Sequence, residues 1–280
     1  MKKITRRSFL AAAGLTAAAL ALTACGGSSS STASSVASSA AASSEAASSS
    51  AAAAEVTTVE AGKLTMATNA AFPPYEMTTD AGDFEGIDIE TAQAIADKLG
   101  LELQIDDMDF DAALLSVQQG KADIVMAGVT VTDERKAVMD FSDSYATGIQ
   151  SIIVPEGSDI ASPDDLAGKK IGTLRGTTGY IYCSDDFGDE NVVAYDDGLT
   201  AVQALNNGQV DAVVIDNAPA KEFVAANPGL VILETSYAEE DYAIGLAKGS
   251  SLEDAINSAL EELKADGTLQ SIVDKYISAE

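Results

Sequence analysis

Two strand ends in the sequence carry residues that could bind a small charged molecule. An apolar strand leads into Gly128 and Thr130, and Arg135 follows at the start of a predicted helix. Free N–H groups at a strand end, hydroxyls and a guanidinium are groups that bind a carboxylate. A second apolar strand ends in Asp216, whose carboxylate suits an ammonium group. Together the two ends predict a clamp for a zwitterion such as a free amino acid.

Each of these charged residues also has a structural interpretation. Arg135 could form a surface ion pair with Asp133 or Asp140, and Asp216 could cap the helix that contains Pro219. However, the dipole of a helix disfavours a cation at the helix start. A negative ligand group therefore explains the position of Arg135 better than fold stability does.

An internal repeat relates the two strand ends to each other. Residues 117–128 and 205–216 share one order, in which a helix end is followed by Gly, two residues, Asp and an apolar strand. The Gly suits a helix C-terminus that needs positive φ, and the Asp suits the turn into the strand. Gly128 and Asp216 then occupy equivalent strand ends. Because ligands bind beyond the carboxyl ends of parallel strands, two facing lobes would place both residues on one cleft.

The hydrophobic pattern of the globular part predicts an α/β fold with parallel-type sheets flanked by helices. The predicted strands cover residues 64–67, 103–105, 124–127, 170–174, 192–195, 212–215 and 231–233, and the predicted helices cover residues 90–99, 110–119, 200–207, 219–226, 251–265 and 269–277. Residues 172–179 contain several glycines but lack the order of a phosphate-binding loop. We interpret this segment as a tight turn that exposes amides to a ligand.

The N-terminal residues are typical of an exported, anchored protein. Residues 1–24 have basic residues, no acid and then an apolar run shorter than the ~20 residues that span a bilayer, which predicts a signal peptide. The run ends in a sequence that resembles a bacterial lipobox, with Cys25 as the lipidated residue. Residues 5–10 resemble a twin-arginine export signal, with an ordinary basic leader as the alternative. Residues 25–58 are predicted to be this lipidated Cys and a disordered Ser/Ala tether.

Composition limits the classes of function. The chain has 280 residues with a formal net charge of −28, which disfavours a nucleic-acid partner. It has no histidine, so His-dependent nucleophiles and His-based metal sites are absent. We predict no catalytic residue, no metal and no cofactor, although carboxylate acid/base chemistry stays open. Lipidation of Cys25 would leave Cys183 alone, and we interpret it as a small apolar residue, with a reactive thiol as the alternative.

Several motifs, in order, resemble those of a known family. They lie at residues 67–76, 86–89, 108–110, 130–135, 140–143, 176–179 and 211–216. They are similar to the amino-acid-binding branch of the extracellular solute-binding proteins of ABC importers, family 3. The resemblance implies a two-lobed, periplasmic-binding-protein-like fold of type II with two hinge strands. It also implies that residues 62–146 plus 242–280 form lobe 1 and that residues 147–241 form lobe 2.

The resemblance also implies roles for the charged and hydroxyl residues. Arg135, helped by the backbone amides of Thr130 and Thr178, would bind the α-carboxylate of an amino acid. The α-ammonium would be bound by Asp216, the Gly128 carbonyl and the Thr130 hydroxyl.

The remaining site residues would surround the side chain of the ligand. Phe72 and Phe110 are interpreted as aromatic walls, with ordinary core aromatics as the alternative. Leu174 would add apolar contact from lobe 2. Family members that favour cationic side chains often have Asp at the position of Asn69, so this departure favours a polar, uncharged ligand.

The expected function is therefore extracytoplasmic capture of a free amino acid. The protein would be a monomer, held at the bacterial cell membrane by its lipid, and it would deliver the amino acid to the permease of an ABC importer. The alternative is an enzyme on the same scaffold, such as a prephenate or arogenate dehydratase. A sensory ligand-binding module is a third interpretation.

Overall fold

The computed structural model of the protein describes residues 56–277. The predicted signal peptide, the lipidation site at Cys25 and nearly all of the predicted tether lie outside the described residues. Within residues 56–277, no helix combines the length and the apolar character that crossing a membrane requires.

Strands and helices alternate along most of the described chain. The strands are β1 (Lys63–Thr68), β2 (Ala71–Phe72), β3 (Glu76–Thr78), β4 (Phe84–Glu85), β5 (Glu102–Asp107), β6 (Ile124–Val125), β7 (Met139–Phe141), β8 (Ala146–Pro155), β9 (Ile171–Leu174), β10 (Val192–Tyr195), β11 (Ala212–Asp216), β12 (Leu230–Ile232), β13 (Ala238–Tyr242) and β14 (Gly245–Ala247). The α-helices are α1 (Ile87–Leu99), α2 (Phe110–Gln118), α3 (Asp133–Lys136), α4 (Thr178–Phe187), α5 (Gly198–Asn206), α6 (Asn217–Ala226), α7 (Glu253–Ala265) and α8 (Thr268–Tyr276). Two short 3₁₀ turns cover Pro163–Leu166 and Asp189–Asn191.

The strands form two large mixed sheets. The first has the order β5-β1-β6-β14-β7, with β1 parallel to β5 and β6, and β14 antiparallel to β6 and β7. The second has the order β10-β9-β11-β8-β12, with β13 also paired to β8. Here β9 is parallel to β10 and β11, whereas β8 is antiparallel to β11, β12 and β13. Each strand that has a parallel partner was predicted from the sequence. Among the strands with antiparallel partners alone, β12 was predicted, and the others lie in segments that the prediction left unassigned.

The chain crosses between the two large sheets twice. It leaves the first sheet after β7 and enters the second at β8, and it returns from β13 in the second sheet to β14 in the first. The strands β8 and β13 are also paired with each other, from Ala146 opposite Tyr242 to Gln150 opposite Ala238. This pair of strands is the connection expected of the two hinge strands.

Buried apolar strands and the inner faces of helices form the core. Every residue of β11 is buried, as expected for a strand covered by helices on both faces. Helix α7 buries Ile256, Ala259, Leu260 and Leu263, the spacing of one helical face. Cys183 is fully buried in the core beside the second sheet, and burial raises the pKa of its thiol to about 12. It therefore behaves as a small apolar residue, as interpreted from the sequence.

The internal repeat predicted from the sequence is present in the structure. Helices α2 and α5 are each followed by a glycine with positive φ, +65° at Gly120 and +67° at Gly208. The aspartates of the repeat, Asp123 and Asp211, each accept backbone N–H groups at the start of a strand. The two halves of the fold thus use the same device to enter β6 and β11.

Candidate functional site

One cavity is lined by residues that follow strand ends in both large sheets. Its lining combines apolar and aromatic side chains with a few charged and hydroxyl groups, which is typical of a site for a small molecule. The lining residues are Asn69, Phe72, Glu76, Phe110, Ala127, Gly128, Thr130, Arg135, Leu174, Thr177, Thr178, Asp196 and Asp216. This set includes all of the ligand-binding residues predicted from the sequence, so the structure brings every one of them together.

The convergence follows from the topology of the two sheets. From the first sheet, the cavity receives the segments that follow β1 and β6 together with α3 and the start of α2. From the second sheet, it receives the ends of β9 and β11 and the start of α4. The carboxyl ends of the parallel strands therefore supply much of the site, which is the arrangement expected of open α/β sheets.

The side chain of Arg135 joins the two sides of the cavity. Its Nη1 donates to the carbonyl of Thr130 at 2.8 Å, and its Nη2 donates to the carbonyl of Gly176 at 3.1 Å. Its guanidinium carbon lies 5.3 Å from the centre of the Phe110 ring, which is a cation–π contact. The backbone of α3 is fixed by Thr132, whose hydroxyl accepts the N–H of Arg135 at 3.1 Å.

The surface ion pair considered for Arg135 does not form. Asp140 pairs with Lys248 at 2.6 Å instead, and Arg135 makes no ion pair with any residue in the described range. Burial lowers the pKa of Arg135, whereas the nearby charge of Glu240 opposes that shift. Because an arginine stays charged in proteins, the cavity holds a half-buried cation that can bind an anionic group.

Asp216 presents a buried carboxylate to the same cavity. It stands at the position before α6, but its side chain makes no capping hydrogen bond, so the helix-cap interpretation does not explain it. One carboxylate oxygen accepts the Tyr242 hydroxyl, and the other accepts Gln150 Nε2 at 2.9 Å. Burial raises the pKa of Asp216 to about 7, the charge of Glu240 adds to this shift, and the two hydrogen bonds oppose it. A cationic ligand group would stabilise the ionised form.

Glu240 connects the two sides of the site, and the sequence analysis missed it. Its Oε2 accepts Thr178 Oγ1 at 2.9 Å, Gln150 Nε2 at 3.0 Å and Thr130 Oγ1 at 3.2 Å. Its Oε1 is buried and has no hydrogen-bond partner in the described part of the chain. One carboxylate from a connecting strand thus orients hydroxyls from both sides of the cavity, including two of the residues predicted to bind the ligand.

Glu76 is a second acidic residue of the cavity that the sequence analysis missed. It is fully buried, and neither of its carboxylate oxygens receives a hydrogen bond from a donor among residues 56–277. Its neighbour is the carboxyl of Asp88, whose own oxygens accept the Tyr145 hydroxyl at 2.7 Å and the Gly128 N–H at 3.0 Å. Burial, followed by the charge of Asp88, raises the pKa of Glu76 well above its usual value. Glu76 and Asp88 can share a hydrogen bond only when one of them is protonated.

The interpretation of residues 172–179 as a tight turn was incomplete, because helix α4 begins within this segment. The turn is present, but a helix begins at Thr178 inside that segment. Thr177 caps the helix by accepting the N–H of Tyr180 at 3.3 Å, and its hydroxyl donates to the carbonyl of Leu174 at 2.8 Å. The N–H of Thr178 therefore lies in the first turn of a helix, where N–H groups lack partners within the helix and can bind an anion.

Comparison with known proteins agrees with this fold. Residues 64–279 match the family model of the bacterial extracellular solute-binding proteins, family 3. Because the match covers most of the chain, the chain belongs to this family.

Individual relatives are similar over most of their length. The L-cystine-binding protein TcyJ of Escherichia coli (strain K12) is 33% identical over 226 residues, which cover 79% of this chain and 85% of TcyJ. The arginine-binding extracellular protein ArtP of Bacillus subtilis (strain 168) is 32% identical over 228 residues, which cover 78% of this chain and 87% of ArtP. The crystal structure of the arginine-, lysine-, histidine-binding protein ArtJ from Geobacillus stearothermophilus superposes with a TM-score of 0.75 at 34% identity, covering 78% of this chain and 96% of that chain. These similarities confirm the two-lobed α/β fold of type II.

Proposed function

We propose that the protein captures a free amino acid in the cavity and delivers it to an ABC importer. The observation that carries this proposal is that Arg135 and Asp216, from remote parts of the chain, line the same cavity. The relatives are named as amino-acid-binding proteins, for cystine in TcyJ and for arginine in ArtP, rather than as enzymes. The protein is accordingly a binding protein, and nothing supports the dehydratase alternative.

The two charged residues would bind opposite ends of the amino acid backbone. Arg135 and the N–H groups of Thr130 and Thr178 would receive the α-carboxylate. Asp216, the Gly128 carbonyl and the Thr130 hydroxyl would receive the α-ammonium. The contact with Glu240 supports this role of Thr130, because a hydroxyl that donates its proton to Glu240 keeps its lone pairs for an ammonium. Charge-assisted hydrogen bonds of about 1.5–3 kcal/mol each can together reach the ~8 kcal/mol of micromolar affinity.

The side chain of the ligand would lie among the remaining lining residues. Phe72, Phe110 and Leu174 would provide its apolar walls, and Asn69 would provide a polar contact. The relatives bind side chains as different as those of cystine and arginine, so their names do not decide the side chain here.

Ligand capture would close two lobes around the amino acid. The two crossings between the sheets support lobe 1 at residues 62–146 plus 242–280 and lobe 2 at residues 147–241. The Arg135 to Gly176 hydrogen bond and the 3.5 Å approach of the Thr130 and Thr178 hydroxyls would then be contacts between the lobes. A ligand that binds both lobes is held more tightly by the closed form, and this difference drives closure.

The protein acts outside the cytoplasm, as its family does, and we propose that a lipid on Cys25 anchors it there as a monomer. Residues 1–24 would be removed as a signal peptide, and residues 26–58 would form the tether to the membrane. Replacing Cys25 by Ser should release the protein from the membrane fraction. Equal membrane retention of the Ser variant would contradict the lipid anchor and leave the binding function unaffected.

Calorimetry of the full-length chain against the standard amino acids tests the binding function. Small molecules that purify with the protein are first released and identified by mass spectrometry, because a retained ligand would mask binding. We expect one group of chemically related amino acids to bind in the micromolar range or tighter. Absence of binding to every amino acid, together with release of a different class of compound, would contradict the function.

A further inference from the structure

We propose that the cavity selects an amino acid with a cationic side chain and that Glu76 is the residue that determines this selectivity. The inference rests on the proposed capture of an amino acid and concerns the part of the cavity that the amino acid backbone does not use. Three observations carry it, namely the balance of charges, the supply of hydrogen-bond donors and acceptors, and the burial of Glu76.

The charges that line the cavity are unbalanced for a neutral zwitterion. The α-carboxylate of the ligand would neutralise Arg135, and its α-ammonium would neutralise Asp216. Asp196 already pairs with Arg175, at 3.1 Å. Glu76 then remains without a compensating charge among the lining residues. A second positive charge on the ligand would balance it.

The polar groups left for the ligand side chain are acceptors. Asn69 Nδ2 donates to the carbonyl of Met108 at 3.0 Å, so its Oδ1 is the atom left for a ligand. The Thr177 hydroxyl donates to the carbonyl of Leu174 at 2.8 Å and is likewise occupied. An ionised Glu76 adds two more acceptor oxygens. Such a surface matches a guanidinium or ammonium group, which has donors only, and it opposes a carboxylate side chain, which has none.

The environment of Glu76 is costly unless a ligand uses it. A buried carboxyl that receives no hydrogen bond destabilises a fold. The two oxygens of Asp88 already accept the Tyr145 hydroxyl and the Gly128 N–H. In the empty cavity a proton shared with Asp88 would reduce the repulsion, and a cationic ligand group would replace that proton. The polar carboxyl is thus explained by a ligand rather than by packing.

The aromatic walls fit the same class of ligand. The Phe110 ring already accepts one guanidinium, that of Arg135, and Phe72 presents a second ring to the cavity. Aromatic faces attract cations. The neutral amide of Asn69, taken alone, favours an uncharged ligand. Because Glu76 lines the same cavity and supplies the negative charge, Asn69 has to supply only a hydrogen-bond acceptor to a cationic side chain.

Calorimetry of the full-length chain with arginine, lysine, glutamine and glutamate tests the inference. We expect arginine or lysine to bind at least about tenfold more tightly than glutamine, a difference of ~1.4 kcal/mol, and glutamate to bind most weakly. Tighter binding of glutamine or glutamate would overturn the inference while supporting the proposed function. If none of the standard amino acids bound, both would fail.

The Glu76→Gln variant separates selectivity from folding, with Glu85→Gln as its matched control. Glu85 is an exposed residue of β4, in the same small sheet as Glu76. We expect Glu76→Gln to weaken binding of the cationic amino acid by at least about tenfold and to change glutamine binding by less than about threefold. Glu85→Gln should change neither. An equal loss for both ligands in Glu76→Gln would assign Glu76 a structural role and overturn the inference.

Discussion

The two copies of the internal repeat use one backbone plan and end in different chemistry. In the first copy, β6 leads to Gly128, which offers backbone groups at the cavity. In the second copy, β11 leads to Asp216, which offers a carboxylate. The turns before these strands are alike, since Gly120 and Gly208 have nearly the same φ. The comparison shows that the duplicated plan fixes where the strand ends lie, whereas the residues at those ends differ in the chemical groups that they offer to the cavity.

The copies also differ in how their aspartates support the sheets. Asp123 is buried and accepts two backbone N–H groups, from Thr65 at 2.8 Å and from Val59 at 2.7 Å. Asp211 is exposed and accepts the N–H of Lys170 at 2.7 Å. The first copy is therefore tied to the N-terminal segment as well as to its sheet, so the same residue type should contribute more to stability there.

Removing Arg135 should break the first pole of the proposed clamp and have the largest effect. We expect Arg135→Met to weaken amino acid binding by about 100-fold or more, since two charge-assisted hydrogen bonds of about 1.5 kcal/mol each would be lost. Lys136→Met, the exposed neighbour in α3, is the control and should leave the affinity unchanged. Calorimetry measures both. Full affinity in Arg135→Met would remove Arg135 from the site.

The second pole should make binding depend on pH. The pKa of Asp216 is raised to about 7 in the folded protein, from 3.8, so a proton competes with the ligand ammonium as the pH falls through 7. We expect the affinity to drop by up to about tenfold for each pH unit below 7. The free energy of unfolding of the unliganded protein should instead increase as the pH falls, because the folded state binds the proton on Asp216 more tightly than the unfolded state does. This stabilisation is lost as the pH rises from about 4 to 7.

Asp216→Asn is the control for both pH trends. It should weaken binding at high pH and flatten the dependence of affinity on pH. Asp88, whose pKa is raised to about 6, and Glu76, whose pKa is raised well above its usual value, would leave a residual trend of the same sign in stability. An affinity that follows the wild-type pH profile in Asp216→Asn would show that another group controls binding.

The aspartates of the repeat should differ in their effect on stability. We expect Asp123→Asn to lower the free energy of unfolding by about 2 kcal/mol, because an amide nitrogen would face one of the two N–H groups. Asp211→Asn should cost less than about 0.5 kcal/mol, because its amide oxygen can still accept the single N–H at an exposed site. Urea unfolding of both variants measures the difference. Equal losses would show that the copies support their sheets alike.

The last expected effect is a gain in stability. Glu76→Gln should raise the free energy of unfolding by about 1 kcal/mol at neutral pH. The amide of Gln can donate a hydrogen bond to the Asp88 carboxylate, whereas two carboxyl groups can form such a bond only when one of them is protonated. Thermal unfolding without ligand measures this change. A clear loss of stability would show that Glu76 contributes to packing rather than to the ligand.

The sequence was sufficient to predict the strand ends. It was also sufficient to identify candidate site residues whose charge or polarity differs from that of their neighbours. Arg135 stands out as a cation in an acidic chain, and Asp216 follows a wholly apolar strand. The repeat then placed both on one cleft. The helix at Thr178 was not predicted, because its first residues include Gly179, Tyr180 and Tyr182, which have low helix propensity.

The missed residues depend on contacts between remote parts of the chain. Glu240 is 110 positions from Thr130, to which it is hydrogen-bonded. It lies between the exposed Glu239 and Asp241, so the acidic run resembled a solvated surface. The alternation of β13 directs Glu240 inward, but this follows only once the strand is known to pair with β8. Glu76 was similarly concealed, since its burial depends on the short hairpin of β2 and β3.

The most direct test of the two-pole clamp uses the ligand rather than the protein. Calorimetry should compare the best-bound amino acid with its α-carboxamide and its Nα-acetyl derivative. We expect each derivative to bind the wild-type chain at least about 100-fold more weakly, and we expect the carboxamide penalty to disappear in Arg135→Met. A carboxamide or acetyl derivative that binds as tightly as the free amino acid would contradict the clamp formed by Arg135 and Asp216.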